Sequence, residues 1–393
     1  MSKNVVALSG VSFLTDVATE MIYPLLPVFL STVLGANASF IGAIEGAAES
    51  TAALLKLASG WWSDKIKKRK SLVVWGYGIA TVARPFTAMA QTATQVLAIR
   101  LTDRIGKGIR SSPRDALLAD SADADSRGRA FGFHAAMDNA GAVLGPLIAF
   151  ALLHYFDLSL RSVFWLAAIP GALAFIVLVV AVKEVARQEA PAPAGSAPHL
   201  SISEKLGKRF WAYLFVVLIF TLGNSTDAFL LLRSNQLGVA VALAPILWAV
   251  LNLVKAALGT WGGSLSDKLG RKPLIVSGWL LYAAVYFGFA RASQQWHAWA
   301  LIATYGVFYA LTEGTEKALV ADIVPEARRG AAFGWFNLAV GLGALPASLI
   351  FGAIWDRAGA HNAFLFGASL ALVAAVGMAI VAPGRRPQNR VAT

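Results

Sequence analysis

The sequence has no cysteine, and only 14% of its 393 residues are charged. The first absence removes a disulfide framework, a thiolate nucleophile and a soft-metal thiolate site. The second is at odds with a water-soluble protein of this length, which carries about 25% charged residues. With 57% hydrophobic residues, the solvent that such a chain fits is lipid. Histidine is scarce too: the five are scattered, so no imidazole cluster suggests a metal site.

The net charge of +12 raises nucleic acid as a partner, but its distribution argues against one. Lys and Arg collect in short segments between apolar runs, the pattern of cytoplasmic loops in a membrane protein. The first apolar run is too long for a cleavable signal and contains Asp16 and Glu20.

Apolar windows of roughly 20 residues predict twelve helices, near 5–33, 39–61, 71–90, 93–118, 129–153, 162–182, 210–232, 240–263, 273–290, 298–322, 330–354 and 362–382. Basic residues mark alternate loops: Lys65 to Lys70, Arg127 and Arg129, Lys268 to Lys272, Arg328 and Arg329. An even helix count with this bias places both termini in the cytoplasm. The segment 184–209 is polar, with Pro191, Pro193 and Pro198, and reads as a cytoplasmic linker. It separates an amino-terminal six-helix bundle, 1–183, from a carboxy-terminal one, 210–393.

The halves repeat. Gly60-x-x-x-Asp64-Lys65 recurs as Gly263-x-x-x-Asp267-Lys268. Arg127-Gly-Arg-Ala-Phe-Gly132 recurs as Arg329-Gly-Ala-Ala-Phe-Gly334, and Ala116-Leu-Leu-Ala-Asp120 as Ala318-Leu-Val-Ala-Asp322. Matches at a common displacement indicate an internal duplication, a common basis of transporter folds.

These loop motifs resemble the major facilitator superfamily of secondary transporters. Its signature, Gly-x-x-x-Asp-Arg/Lys-x-Gly-Arg-Arg/Lys, is met throughout by Gly263 to Lys272, whereas the copy from Gly60 to Arg69 has Lys67 in place of a glycine. The resemblance implies an all-α membrane fold of twelve transmembrane helices in two pseudo-symmetric six-helix bundles. It also implies that Asp64 and Asp267 take part in a conformational gate. A carboxylate at a basic turn can engage a neighbouring helix N-terminus in one state and release it in another. In the fifth segment Gly141-x-x-x-Gly145-Pro146 resembles part of a motif of the superfamily's antiporters. Ala149 and Phe150 stand where further glycines are expected.

Charge within the segments is uneven. The sixth, ninth and twelfth contain none and the third only Arg84. A charge at the bilayer centre costs at least ~3 kcal/mol, so the remaining charges are candidates for function. Asp16 and Glu20 in the first segment and Asp227 in the seventh are candidate proton-coupling carboxylates. Tyr23, Glu45, Glu49, Arg100, Asp103, Arg104, Lys107, Arg110, Asp138, Asn252, Lys255 and Glu313 are candidates for the substrate cavity. Arg114, Asp115, Arg271, Glu316 and Lys317 join the two aspartates as candidates for the gate. By the repeat, Arg114 and Asp115 align with Glu316 and Lys317 with the signs inverted, so cross-cavity pairing would close one side.

The stretch Leu101 to Ser121 resembles a glycine-containing phosphate loop at first sight, but no strand precedes it and the nucleotide-loop spacing is not met. As a helix, Arg100, Asp103, Arg104, Lys107, Arg110, Ser111, Arg114 and Asp115 fall within an arc of roughly 140°. The expectation is an amphipathic membrane helix whose charged face meets a wet cavity.

The function expected is secondary transport by alternating access: proton-coupled efflux of a small organic molecule from the inner or plasma membrane. The alternative is carriage of an organic anion such as a carboxylate, a siderophore or a phosphorylated compound, because Arg forks bind such groups. Divalent-metal export through Asp16, Glu20, Glu45 and Glu49 ranks lower. Catalysis, a cofactor beyond the coupling proton and a nucleic-acid partner are not expected. The partners are the bilayer and the substrate, and the carrier is expected to be a monomer.

Overall fold

Long apolar stretches that must satisfy their backbone inside lipid have helix as their main solution, and helix is what forms. The computed structural model describes residues 1–65, 69–122, 127–185, 206–324 and 329–381, and the regular elements among them are all helical. The twelve expected segments are α1 (Lys3–Val33), α2 (Ala38–Lys65), α3 (Arg69–Ala83), α4 (Ala93–Asp120), α5 (Arg127–His154), α6 (Leu160–Ala181), α7 (Lys208–Gln236), α8 (Ala244–Leu269), α9 (Arg271–Arg291), α10 (Gln295–Ile323), α11 (329–358) and α12 (360–381). Seven described spans are long and apolar enough to cross a bilayer, one of them covering α11 and α12 together. The more polar α2, α4 and α10 are not among them. The chain is a multi-pass membrane protein. Most of the expected linker falls on 186–205, outside the described residues.

Several helices depart from the continuous rods expected. α1 tightens into a 3-10 turn at Tyr23–Leu25, where Pro24 removes a donor, and ends in a wide turn at Phe29–Val33. α3 passes into a 3-10 turn, Arg84–Met89, at Pro85. α7 breaks after Gly223 and restarts at Ala228, so 224–227 lies unwound. The expected loop between α11 and α12 is almost absent: Gly359, at φ 85°, alone turns one helix into the next.

The duplication is visible atom by atom. Thr92 caps α4 with Gln95, and Gln294 caps α10 with His297. At the opposite ends of the same helices, Arg69 pairs with Asp120 and Arg271 with Asp322. The left-handed turn at Gly359 has its counterpart at Asp157, φ 50°. What fills the two bundles differs. Arg84 and Asp103 form a buried pair in the first half, and Tyr286 and Tyr305 occupy the matching places in the second. The carboxy-terminal core is correspondingly aromatic, with Trp279, Tyr282, Tyr286, Tyr305 and Phe308 in mutual contact through Phe220 and one another.

The halves meet along α2 and α11, along α5 and α8, and at the last turns of α1 and α7. Ser50 Oγ donates to the Gly341 carbonyl at 2.7 Å. At the face opposite the chain's first residues, both carboxylate oxygens of Asp356 accept from the α2 amino end, Ala38 N at 2.9 Å and Ser39 N at 2.8 Å. This clamp joins a carboxylate of one half to the positive end of a helix in the other. That face is closed. The face carrying the amino terminus is open between the halves, and residue 2 sits there against the end of α4.

Candidate functional site

The open face leads into a cavity of about 690 Å³ between the bundles. Its walls run from Tyr23 and Ser348 at the closed end to Lys56, Leu57 and Phe333 at the mouth. The unwound stretch of α7 supplies Asn224, Ser225, Thr226 and Asp227 to the deep wall. A broken membrane helix at midplane is how transporters bring backbone and short polar side chains to a ligand. Facing it, the tight turn of α1 presents Tyr23. Asp227 is fixed there by two phenols: Tyr305 Oη donates to it at 2.8 Å and Tyr309 Oη at 3.0 Å.

Of the expected cavity residues, Tyr23, Glu45, Glu49 and Lys107 line this space. The arginines expected beside them do not. Arg100 forms a fork with Glu45, at 3.0 and 2.5 Å, and is 6% exposed. Arg104 reaches Glu49 at 3.3 Å, Asp103 holds Arg84 at 2.9 Å, and Arg110 lies over the Tyr77 ring at 4.0 Å. The expectation of a wet charged face on α4 is thus corrected. The arc points inward, but an arginine away from water needs an anion or a ring, and α2 and α3 provide them. Lys107, Ser111 and Ser112 are what α4 shows the cavity.

The other expected cavity residues also stand outside its lining. Asp138 lies 3.7 Å from His134, one turn earlier on α5. Asn252 donates to the Trp248 carbonyl, and Lys255 pairs with Glu313 at 2.9 Å.

The expected proton-coupling carboxylates sit where the bundles join. Glu20 accepts from Trp248 Nε1 at 2.6 Å, an α1-to-α8 bond across the halves. The same indole rests against Tyr23, with ring centroids 4.9 Å apart. Asp16 has no hydrogen-bond or ion-pair partner among the described residues. The small residues of α5 explain how both carboxylates are approached. A Cβ on Gly141 would stand 2.7 Å from the Phe13 carbonyl and 2.9 Å from Asp16 Cβ, and one on Gly145 would stand 2.9 Å from Glu20 Cβ. The partial antiporter-like motif is therefore the surface on which α1 carries its acids.

The gate residues are satisfied within their own halves. Arg114 holds Asp115 at 2.8 Å and Ser12 at 3.0 Å. Glu316 accepts from Trp279 at 2.8 Å, and Lys317 is 3.9 Å from Glu313. Arg271 reaches Asp322 and Ser266. The side chains of Asp64 and Asp267 lie outside the described residues.

Sequence reasoning missed three features: the unwound residues 224–226, the phenols of Tyr305 and Tyr309, and Asp356. Tyr309 stands at the repeat position of Lys107, which could have flagged it. Asp356 carries no such signal.

The description Major Facilitator Superfamily fits residues 8–345 and 228–393 of the chain. An uncharacterized MFS-type transporter of Methanocaldococcus jannaschii is 34% identical over 380 residues, covering 95% of this chain and 93% of that protein. Multidrug resistance protein MdtH of Cronobacter sakazakii is 33% identical over 116 residues, 30% of this chain and 29% of its own. Among solved structures, a peptide transporter POT superposes with a TM-score of 0.81 at 13% identity, covering 98% of this chain and 95% of the other. With the family description spanning the chain and a relative of this identity matched over nearly its full length, the protein belongs to the major facilitator superfamily and is a membrane transporter of small molecules.

Proposed function

We propose that the protein is a proton-coupled antiporter that exports a small organic molecule by alternating access, residing in the inner membrane with both termini in the cytoplasm. The observation that carries this reading is the 2.6 Å bond from Trp248 to Glu20. An ionised carboxylate accepts such a bond more strongly than a neutral acid does. Protonation of Glu20 therefore weakens a contact between the halves, and ionisation restores it. Binding a proton and changing the relation of the bundles become one event, which is what coupling requires. The short stretch shared with a multidrug resistance protein supports the outward direction.

Carriage of an organic anion is favoured by one observation, the Lys56 and Lys107 side chains on the cavity wall. The arginines of α4 no longer support it: Arg100 and Arg104 are held by Glu45 and Glu49, and Arg110 lies over the Tyr77 ring. The metal-export reading loses Glu45 and Glu49 in the same way, each held by an arginine.

The test is transport in proteoliposomes under an imposed pH gradient, with ethidium and citrate as probes. Ethidium is expected to move against the proton flow, and Glu20→Gln to abolish the dependence on the gradient. Movement of ethidium that ignores the gradient and survives both Glu20→Gln and Asp16→Asn would remove the proton-coupled reading. Gradient-driven movement of citrate instead would select the anion carrier.

A further inference from the structure

A second polar site lies inside the amino-terminal bundle, away from the residues that line the substrate cavity. Its centre is His134 on α5, which is 4% exposed and whose two ring nitrogens both lack a hydrogen-bond partner among the described residues. Four more buried polar atoms of the same bundle share the deficit. Asp138 Oδ1, Arg110 Nη1, Tyr77 Oη and Ser9 Oγ are likewise buried without a partner. Buried polar atoms are rarely left unpaired, because each costs about 1–3 kcal/mol. A group of them drawn from α1, α3, α4 and α5 is a place that small hydrogen-bonding molecules, water above all, satisfy.

The cluster has a direction. At its inner end stands Asp16, with Glu20, Asp138, Arg110, Arg114 and Lys107 as its charged neighbours. Around His134 the charged groups are Arg114 and Asp115 from α4 and Asp138 from its own helix. At the outer end stands Asp115, whose side chain is 40% exposed; those of His134 and Asp138 are 6% and 32% exposed. α5 runs inward from the open face, so Asp16, Asp138 and His134 lie in succession from α1 toward that face, with Asp115 beside His134.

We propose that this cluster is a proton relay connecting Asp16 to the open face through Asp138 and then His134, separate from the path of the substrate. The proposal rests on the proton-coupled reading and extends it to a route. A proton leaving the Asp16 carboxyl is carried by water to the Asp138 carboxylate, which hands a proton on to one ring nitrogen of His134. The other ring nitrogen releases its own proton past Asp115 to bulk water. The imidazole ends neutral, and the net change is one carboxylate at Asp16 and one proton outside. Imidazole suits the middle position because it donates and accepts near neutral pH. The separation matters: a carrier whose proton and substrate share one passage must empty it of one to admit the other.

The relay is tested without any substrate, in purified protein in nanodiscs, by infrared detection of the Asp16 carboxyl band after a pH jump. The band is assigned by its loss in Asp16→Asn. His134→Ala and Asp138→Asn are expected to slow its response at least tenfold while melting like the parent protein. Imidazole in the buffer is expected to restore the rate in His134→Ala, which a structural role for the ring would not allow. If His134→Ala unfolds, His134→Gln keeps the volume and gives the same slowing. Responses at the parent rate in these variants would overturn the relay. So would the absence of an Asp16 band, or a response stopped by filling the cavity with Ala344→Trp. Ethidium movement in proteoliposomes judges the antiport reading separately, so either can fail while the other is tested.

Discussion

Arg84, in the 3-10 turn that follows α3, is the lone charge of the third expected segment, 71–90, and its guanidinium is held by Asp103 with both side chains less than a tenth exposed. Removing one member of a buried pair strands the other, at a cost of about 3–5 kcal/mol, whereas replacing both with apolar residues is often neutral. Arg84→Met alone should therefore lower the melting temperature sharply. The double change Arg84→Met with Asp103→Leu should recover most of the loss, read by thermal unfolding in detergent. A double variant no more stable than either single would show that the pair does something other than balance charge. At the cavity, Trp248→Phe keeps the ring against Tyr23 but removes the donor to Glu20. Its expected effect is a loss of gradient dependence with dye exchange at equal pH retained, measured in proteoliposomes. Arg84 stands out in the sequence as an isolated charge, but its partner does not, and the bond from Trp248 to Glu20 has no sequence signal. Periodicity places a side chain on a face of its own helix, and it says nothing of which neighbour the face meets. That is why α4 was legible as amphipathic while Arg100, Arg104 and Arg110 were misplaced in water.

At the scale of the helix, contacts turn on missing side-chain atoms. Gly141 and Gly145 let α5 lie against the backbone of α1 beside Asp16 and Glu20. In lipid such close approach is a main source of helix association. Gly141→Leu is expected to push α1 away and abolish gradient-driven transport, with insertion and expression retained. Transport at half the parent rate or better would show that α1 tolerates the displacement. The Gly-x-x-x-Gly spacing announced a close approach, and the duplication announced matching helix ends, so the element order was readable almost entire. The break in α7 was not. Residues 224–227 form a polar patch within an apolar run, and only the contacts of Asp227 with α10 show why the backbone leaves the helix there. The Asp356 clamp was equally hidden, because a lone carboxylate in the last turn of a helix has no periodic signature. Asp356→Ala should loosen the closed face. In this cysteine-free background, a single Ser348→Cys reporter should then be labelled several-fold faster by an impermeant maleimide from that side. No change in labelling would show that the glycine-lined seam of α2 and α11 suffices.

The molecule as a whole is two copies of one plan with different interiors, charged in the first half and phenolic in the second. The face bearing the amino terminus is open, and there Arg114 and Glu316 are each satisfied at home. If they meet when that face closes, Arg114→Glu combined with Glu316→Arg should retain more transport than either change alone. Equal losses in all three would sink the pairing. The seam that is closed and the mouth that is open together describe one station of a cycle, and the unwound stretch of α7 is present in it. From Ser225 to Asp227 the chain leaves the helical ladder, so amides there lack the protection that flanking turns enjoy. In deuterated buffer this short stretch should exchange as a fast island within a slow helix. Compounds that settle against it should slow that exchange, so mass spectrometry can screen for ligands before any transport assay knows what to measure.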